Sequence, residues 1–248
     1  MNTCSNRVAA ALLAGGFMAA TMGSAQADLL TNGNLDNTYQ QEIVPGFFLP
    51  KPANWVNVGT RTGTGPYEDE MSSEPWAGPA PTPVTPSDMG VFFKPFTGTL
   101  ATGNLATGRL YQDLPGAGGV LYTLTGWAGA EANYSGLIPG TVTRSLMGLS
   151  FYDGGGGLLG ASVLDLQAAG LGVPNGEAFN YRQFSVSGLA PAGTATVRAE
   201  IAMIDAYANP AGGGQAFVVD DFVLIPEPST FGLAGLGLAL LTMFRRRS

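Results

Sequence analysis

Five aromatic side chains, Trp55, Trp76, Trp127, Tyr111 and Tyr134, have the flat apolar face and polar rim that suit stacking on a pyranose ring. Trp55 and Trp127 lie in apolar stretches and read as core residues. Trp76 lies in a polar stretch between Pro75 and Gly78 and, with Tyr134, is the candidate for ligand contact. Paired carboxylates are the other chemistry to weigh, since two of them suffice for glycoside hydrolysis. The 18 acidic residues always offer some pair, and no motif singles one out. Histidine is absent, which excludes a Ser-His-Asp triad and removes the commonest general base and metal ligand. Gly154–Gly157 is not a phosphate loop, because no lysine follows it. The one cysteine, Cys4, precedes the apolar run near the start, so the body has no disulfide and no thiol chemistry.

The scaffold for these groups is acidic and weakly charged. Of 248 residues, 45% are hydrophobic and 12% charged, with 37 Gly and 17 Pro. One domain of generous size fits this length. Residues 28–228 hold 7 Lys and Arg against 18 acidic residues, a net charge of −11. Such a body repels phosphate backbones, so nucleic acid is disfavoured, and it attracts divalent cations.

Period-two alternation runs through the body, and no helical stretch is convincing. Val197, Ala199, Ile201 and Met203 share one face, with Arg198 and Glu200 opposite. Phe217, Val219, Val223 and Ile225 share a parity, so 216–225 reads as a strand. Further strands are expected at 91–96, 109–114, 120–127 and 146–152. The last runs through the Asp153-Gly154 turn into 158–166 as a hairpin. About eight strands are expected, enough for two packed sheets. Residues 59–88 lack periodicity and carry Glu68-Asp69-Glu70, so they read as a long loop, functional or disordered.

At the N-terminus, Arg7 precedes an apolar run from Val8 to Met22, and Ala25 and Ala27 supply the small residues a signal peptidase accepts. Residues 1–27 are therefore expected to leave as a signal peptide, with Asp28 first in the mature chain. At the C-terminus, Pro226-Glu227-Pro228 is followed by 15 uncharged residues, Thr230 to Phe244, and then Arg245, Arg246 and Arg247. The prolines favour an extended segment that cannot join a central strand. The apolar run spans ~22 Å as a helix, short of a ~30 Å hydrocarbon core, and the arginines should stay cytoplasmic. In this order the three parts resemble the PEP-CTERM sorting signal, over residues 225–248. The resemblance implies a Gram-negative bacterium that makes extracellular polysaccharide. It also implies an exosortase that cuts near Pro-Glu-Pro after transient anchoring in the inner membrane. The protein would then be released or attached outside the cell.

The body carries a second resemblance. Leu29–Asp36, with Asn32-Gly33-Asn34-Leu35, is similar to the opening of galactose-binding-like jelly rolls, the fold of many carbohydrate-binding modules. Gly214–Leu224, with Asp220-Asp221-Phe222, is similar to their closing strand, and Trp55 matches an early tryptophan. In many such domains a calcium ion joins the first and last strands, held by carboxylates and carbonyls. The resemblance assigns Asp36 and either Asp220 or Asp221 to that ion, the register being open. The expectation is an all-β jelly-roll sandwich over 28–225, followed by a sorting tail at 226–248 with a short membrane helix. Its function would be non-catalytic, binding extracellular polysaccharide or building the cell surface. The alternatives are a polysaccharide hydrolase and a self-associating adhesive matrix protein.

Overall fold

A computed structural model describes residues 27–60, 70–78, 88–96, 98–101, 103–172 and 178–227. Residues 1–26 of the expected signal peptide, with Ala25, and the tail from Pro228 through the three arginines lie outside them. Among the described residues, twelve strands form two five-stranded antiparallel sheets and a hairpin, and there is no α-helix. The hairpin is β1 (Thr38–Val44) with β2 (Phe47–Pro52). One sheet runs β10 (Arg182–Leu189), β7 (Leu121–Ala130), β12 (Phe217–Glu227), β5 (Gly90–Phe93), β4 (Met71–Glu74). The other runs β3 (Val56–Gly59), β6 (Ala106–Pro115), β11 (Thr196–Ala206), β8 (Arg144–Tyr152), β9 (Leu158–Asp165).

The alternation predicted for β11 holds: Val197, Ala199, Ile201 and Met203 all enter the core between the sheets. They meet Phe93, Leu124, Phe217 and Val219 from the opposite sheet. β12 departs from its predicted parity. A bulge shifts the register between Asp220 and Val223, so the inward set is Phe217, Val219, Phe222 and Leu224. Asp221 absorbs the extra residue at φ 52, a left-handed conformation that Asp tolerates better than most side chains.

The opening segment is stitched to this last strand. Leu29 N–H donates to Leu224 O at 2.9 Å and Phe222 N–H to Gly33 O at 2.8 Å. The approach demands glycine at 33, where a Cβ would lie 2.2 Å from Phe222 O. Asp28 Oδ1 accepts from the Leu224 and Leu30 amides. Trp55 is a core residue, as expected; its indole donates to Asn32 O at 2.9 Å and its ring meets Phe222.

Twelve strands replace the eight expected, because β1 to β4 and β10 are too short, too polar or too rich in Pro and Gly to signal themselves. The reading of 59–88 as one structureless stretch is corrected for 71–77. There β4 pairs with β5, and a 3-10 turn at Pro75–Ala77 follows. Lys51, buried on β2, donates through Nζ to Met71 O and ties the hairpin to β4. The expectation that the prolines could not join a central strand is also corrected for Pro226, Pro228 lying outside the described residues. Pro226 and Glu227 end β12, in register with Tyr122 and Leu121 of β7. β5 pairs only with residues 217–219, so β7 is the one strand paired with β12 there, an edge-like position that proline tolerates.

Candidate functional site

The outer face of the β10-β7-β12-β5-β4 sheet carries both a groove and an acidic group. Inward residues of β7 are Tyr122, Leu124, Ala128 and Ala130, so alternation turns Thr123, Thr125 and Trp127 outward. Gln183 of β10 and Asp220 of β12 flank Trp127 as its direct cross-strand partners. The indole is half-buried and forms one wall of a groove of about 390 Å³ with Gln183, Asn34, Asp221 and the Gly33 backbone. The sequence reading of Trp127 as a core residue is therefore corrected. Its neighbours in sequence are apolar because alternate ones face the core, which hides an outward tryptophan from a composition argument.

Asp221 reaches the groove because of the bulge. Asp220 is 1% exposed and lies beside it, its Oδ1 accepting the Asp221 amide at 2.7 Å. Burial, and then the charges of Asp221, Asp88 and Asp36, push its carboxyl up to about 9. Burial and the charges of Asp88 and Asp36 raise Asp221 as well. Gly78 leaves a space between two carboxylates here: a Cβ on it would lie 3.1 Å from Asp220 Oδ2 and 3.2 Å from Asp88 Oδ1. Hard oxygen donors facing a shared space suit a calcium ion in kind. Among the described residues, no three acidic side chains converge into a group that could hold a metal, so carbonyl oxygens would have to complete the set. Asp36 lies close enough for its charge to act on both Asp220 and Asp221. Its Oδ1 accepts the Met89 amide at 2.8 Å and its Oδ2 the Asn34 amide group at 2.5 Å, so it acts as a latch between segments. Asp88, from a segment without periodicity that offered no reason to select it, supplies the second carboxylate beside Gly78.

Trp76 and Tyr134 fall elsewhere. Trp76 stacks on Phe92 at 5.1 Å and tilts against Phe179, with Tyr181 edge-on to Phe179. This aromatic group covers Ala77, Ala216 and Val218 on the same outer face, and Tyr181 donates its hydroxyl to Ala77 O. Trp76 is half-buried in it. Tyr134 as a ligand-stacking residue is corrected: it is 0% exposed, stacks on Phe217 and bonds Ser145 Oγ at 2.9 Å. No sugar can reach either face of its ring. Tyr111 lies on the outer face of the other sheet with the Arg198 guanidinium 3.7 Å above its ring, and Asp113 grips that guanidinium through two bonds.

The chain matches the PEP-CTERM protein-sorting motif over residues 224–247. No curated protein matches it in sequence. Several solved structures align with it at low identity. The carbohydrate-binding module TmCBM61 in complex with β-1,4-galactotriose aligns with TM-score 0.43 and 12% identity, over 81% of this chain and 99% of that one. A cyclase from Fischerella sp. TAU aligns with TM-score 0.48 and 13% identity, over 81% and 96%. The enzymatically active domain of bacteriophage CBA120 tailspike protein 4 aligns with TM-score 0.45 and 11% identity; the chain spans 81% of itself there but only 21% of the tailspike. None of these likenesses bears on what this chain binds.

Proposed function

We propose that this is an exported, non-catalytic module that binds extracellular polysaccharide in the groove beside Trp127. The motif at 224–247 marks the chain for export and membrane-associated sorting. The observation that carries the binding reading is the outward indole of Trp127, bordered by Gln183, Asp221 and Asn34. A pyranose ring lays its C–H face on such an indole, while amide and carboxylate groups at the rim bond its hydroxyls. The carboxyl most altered by its surroundings, Asp220, is sealed from solvent and occupied by the Asp221 amide, which argues against its acting as an acid on a bound sugar.

A signal peptidase cut before Asp28 and an exosortase cut near Pro226-Glu227-Pro228 complete the proposed route to the cell surface or matrix of a Gram-negative bacterium. A structural calcium ion is proposed at the space between Asp220 and Asp88, with carbonyl oxygens as further ligands. Bound there, it would supply the positive charge that lets Asp220 ionise. Affinity electrophoresis of the body through gels cast with a panel of acidic and neutral polysaccharides tests the function. Retardation without new reducing ends supports it. New reducing ends would support the hydrolase reading, and free migration with concentration-dependent self-association the adhesive one.

A further inference from the structure

The strands fix which loops share an end of the sandwich. β7, β9 and β11 begin, and β6, β8, β10 and β12 finish, at the end where Glu227 leaves for the tail. The loops of that end are almost uncharged; Glu227 itself stands at the exit, and the paired Asp113 and Arg198 lie two residues in from the ends of β6 and β11. Its loops, 116–120 and 190–195, consist of Gly, Ala, Val, Pro and Thr, and in the turn at 153–157 the only charge is Asp153. Asp153 spends Oδ1 on the Gly155 and Gly157 amides at 2.8 Å. The loop backbones are laced together as well: Gly119 N–H donates to Ala190 O, Ala190 N–H to Val120 O, and Gly116 N–H to Ala195 O. Four of the five strongly exposed leucines of the described residues sit here: Leu121, Leu158, Leu159 and Leu189. Leu121 is in register with both Leu189 and Glu227, so two of them stand beside the exit of the chain. The opposite end carries Glu131, Arg144, Asp165, Arg182 and Asp205.

Glu227 is three residues from Thr230, where the apolar run of the tail starts. Three extended residues reach about 10 Å. A run of 15 residues is itself short for a bilayer, so nothing remains to serve as a spacer. We propose that this leucine-rimmed end rests on the outer surface of the lipid bilayer while the tail is inserted, so that the body awaits processing in a fixed orientation with the Trp127 face turned sideways to the membrane. The proposal rests on the tail acting as a membrane anchor. Exposed leucines and loops tied to one another by backbone hydrogen bonds suit the interfacial region of a bilayer, whereas highly charged loops do not.

The test uses residues 28–248, the chain left after the expected signal-peptide cut; they hold no cysteine, so an introduced one is unique, and the apolar run at 8–22 cannot itself hold the protein to vesicles. Leu189→Cys, Leu158→Cys and, at the opposite end, Val142→Cys carry a nitrobenzoxadiazole probe. Each is reconstituted into phosphatidylcholine–phosphatidylglycerol vesicles containing brominated acyl chains. All three variants should float with the vesicles, which reads the anchor alone. The probes at 189 and 158 should lose most of their emission, and the probe at 142 should keep it. Flotation with no quenching at 189 and 158 overturns the docking while leaving the anchor intact. Failure to float overturns the anchor and the docking with it. A change at 189 that needs no lipid and grows with protein concentration assigns the surface to a second copy of the chain and overturns the proposal.

Discussion

At Asp220 the fold holds a carboxyl group that burial and three neighbouring carboxylates keep protonated to about 9, against ~3.9 for an unfolded aspartate. Between those values the folded chain binds more protons than the unfolded one, so stability falls as pH rises. In chelator, the melting temperature should be higher at pH 5 than at pH 8, and Asp220→Asn should flatten that slope. Calcium favours the ionised form, so it should raise the pH 8 melt of the wild type and leave Asp220→Asn unmoved, by mass action on the native state. Identical melts with chelator and with excess calcium would remove the ion from the account. The aromatics divide by a similar test. Trp76→Ala and Tyr134→Ala should cost stability, by about 3–5 kcal/mol for the fully buried Tyr134, without a specific effect on binding.

The closing strand β12 shows what local sequence can and cannot tell. Its existence was readable from Phe217, Val219, Val223 and Ile225, and the resemblance carried by Asn32-Gly33 and Asp220-Asp221-Phe222 set the opening segment and this strand at the two limits of one domain; their hydrogen bonding to each other was not. Its inward set was not, because one residue in a bulge inverts every later position, and nothing in alternating Val, Phe and Leu marks where the inversion falls. The candidate site inherits the same blindness. The bulge brings Asp221 to the groove and leaves Asp220 beside Trp127, so neither partner of the tryptophan was legible. Asp88 came from a segment with no periodic signal at all. The stitch itself is testable at Gly33. Adding a methyl there sets a carbon 2.2 Å from Phe222 O, so Gly33→Ala should destabilise by about 1–3 kcal/mol, read as a lower denaturant midpoint. An unchanged midpoint would mean that the opening segment is not held against β12 as described.

The whole molecule is a sandwich with its sorting motif built into the end of its last strand. Pro226 and Glu227, within that motif, are paired with β7 when the body is folded. Changing both to Ala should leave the anchor and abolish the cut, so full-length chain minus signal peptide accumulates in the membrane fraction. Release at the normal rate and mass would mean that the motif is not read there. Export was legible because its elements are linear and ordered along the chain. The groove beside Trp127 was not, because it exists only once β10, β7 and β12 lie side by side. The binding reading is tested most directly by tryptophan fluorescence, since Trp55 is buried, Trp76 is packed against Phe92, and Trp127 borders the groove. Titrating the folded body with the polysaccharide that retards it should shift the emission saturably. Trp127→Phe should abolish the shift, and Trp127→Ala should weaken binding by roughly 2 kcal/mol or more, about thirtyfold in Kd. A saturable shift of the same size in Trp127→Phe, with unchanged affinity in Trp127→Ala, would place the ligand elsewhere and contradict the account.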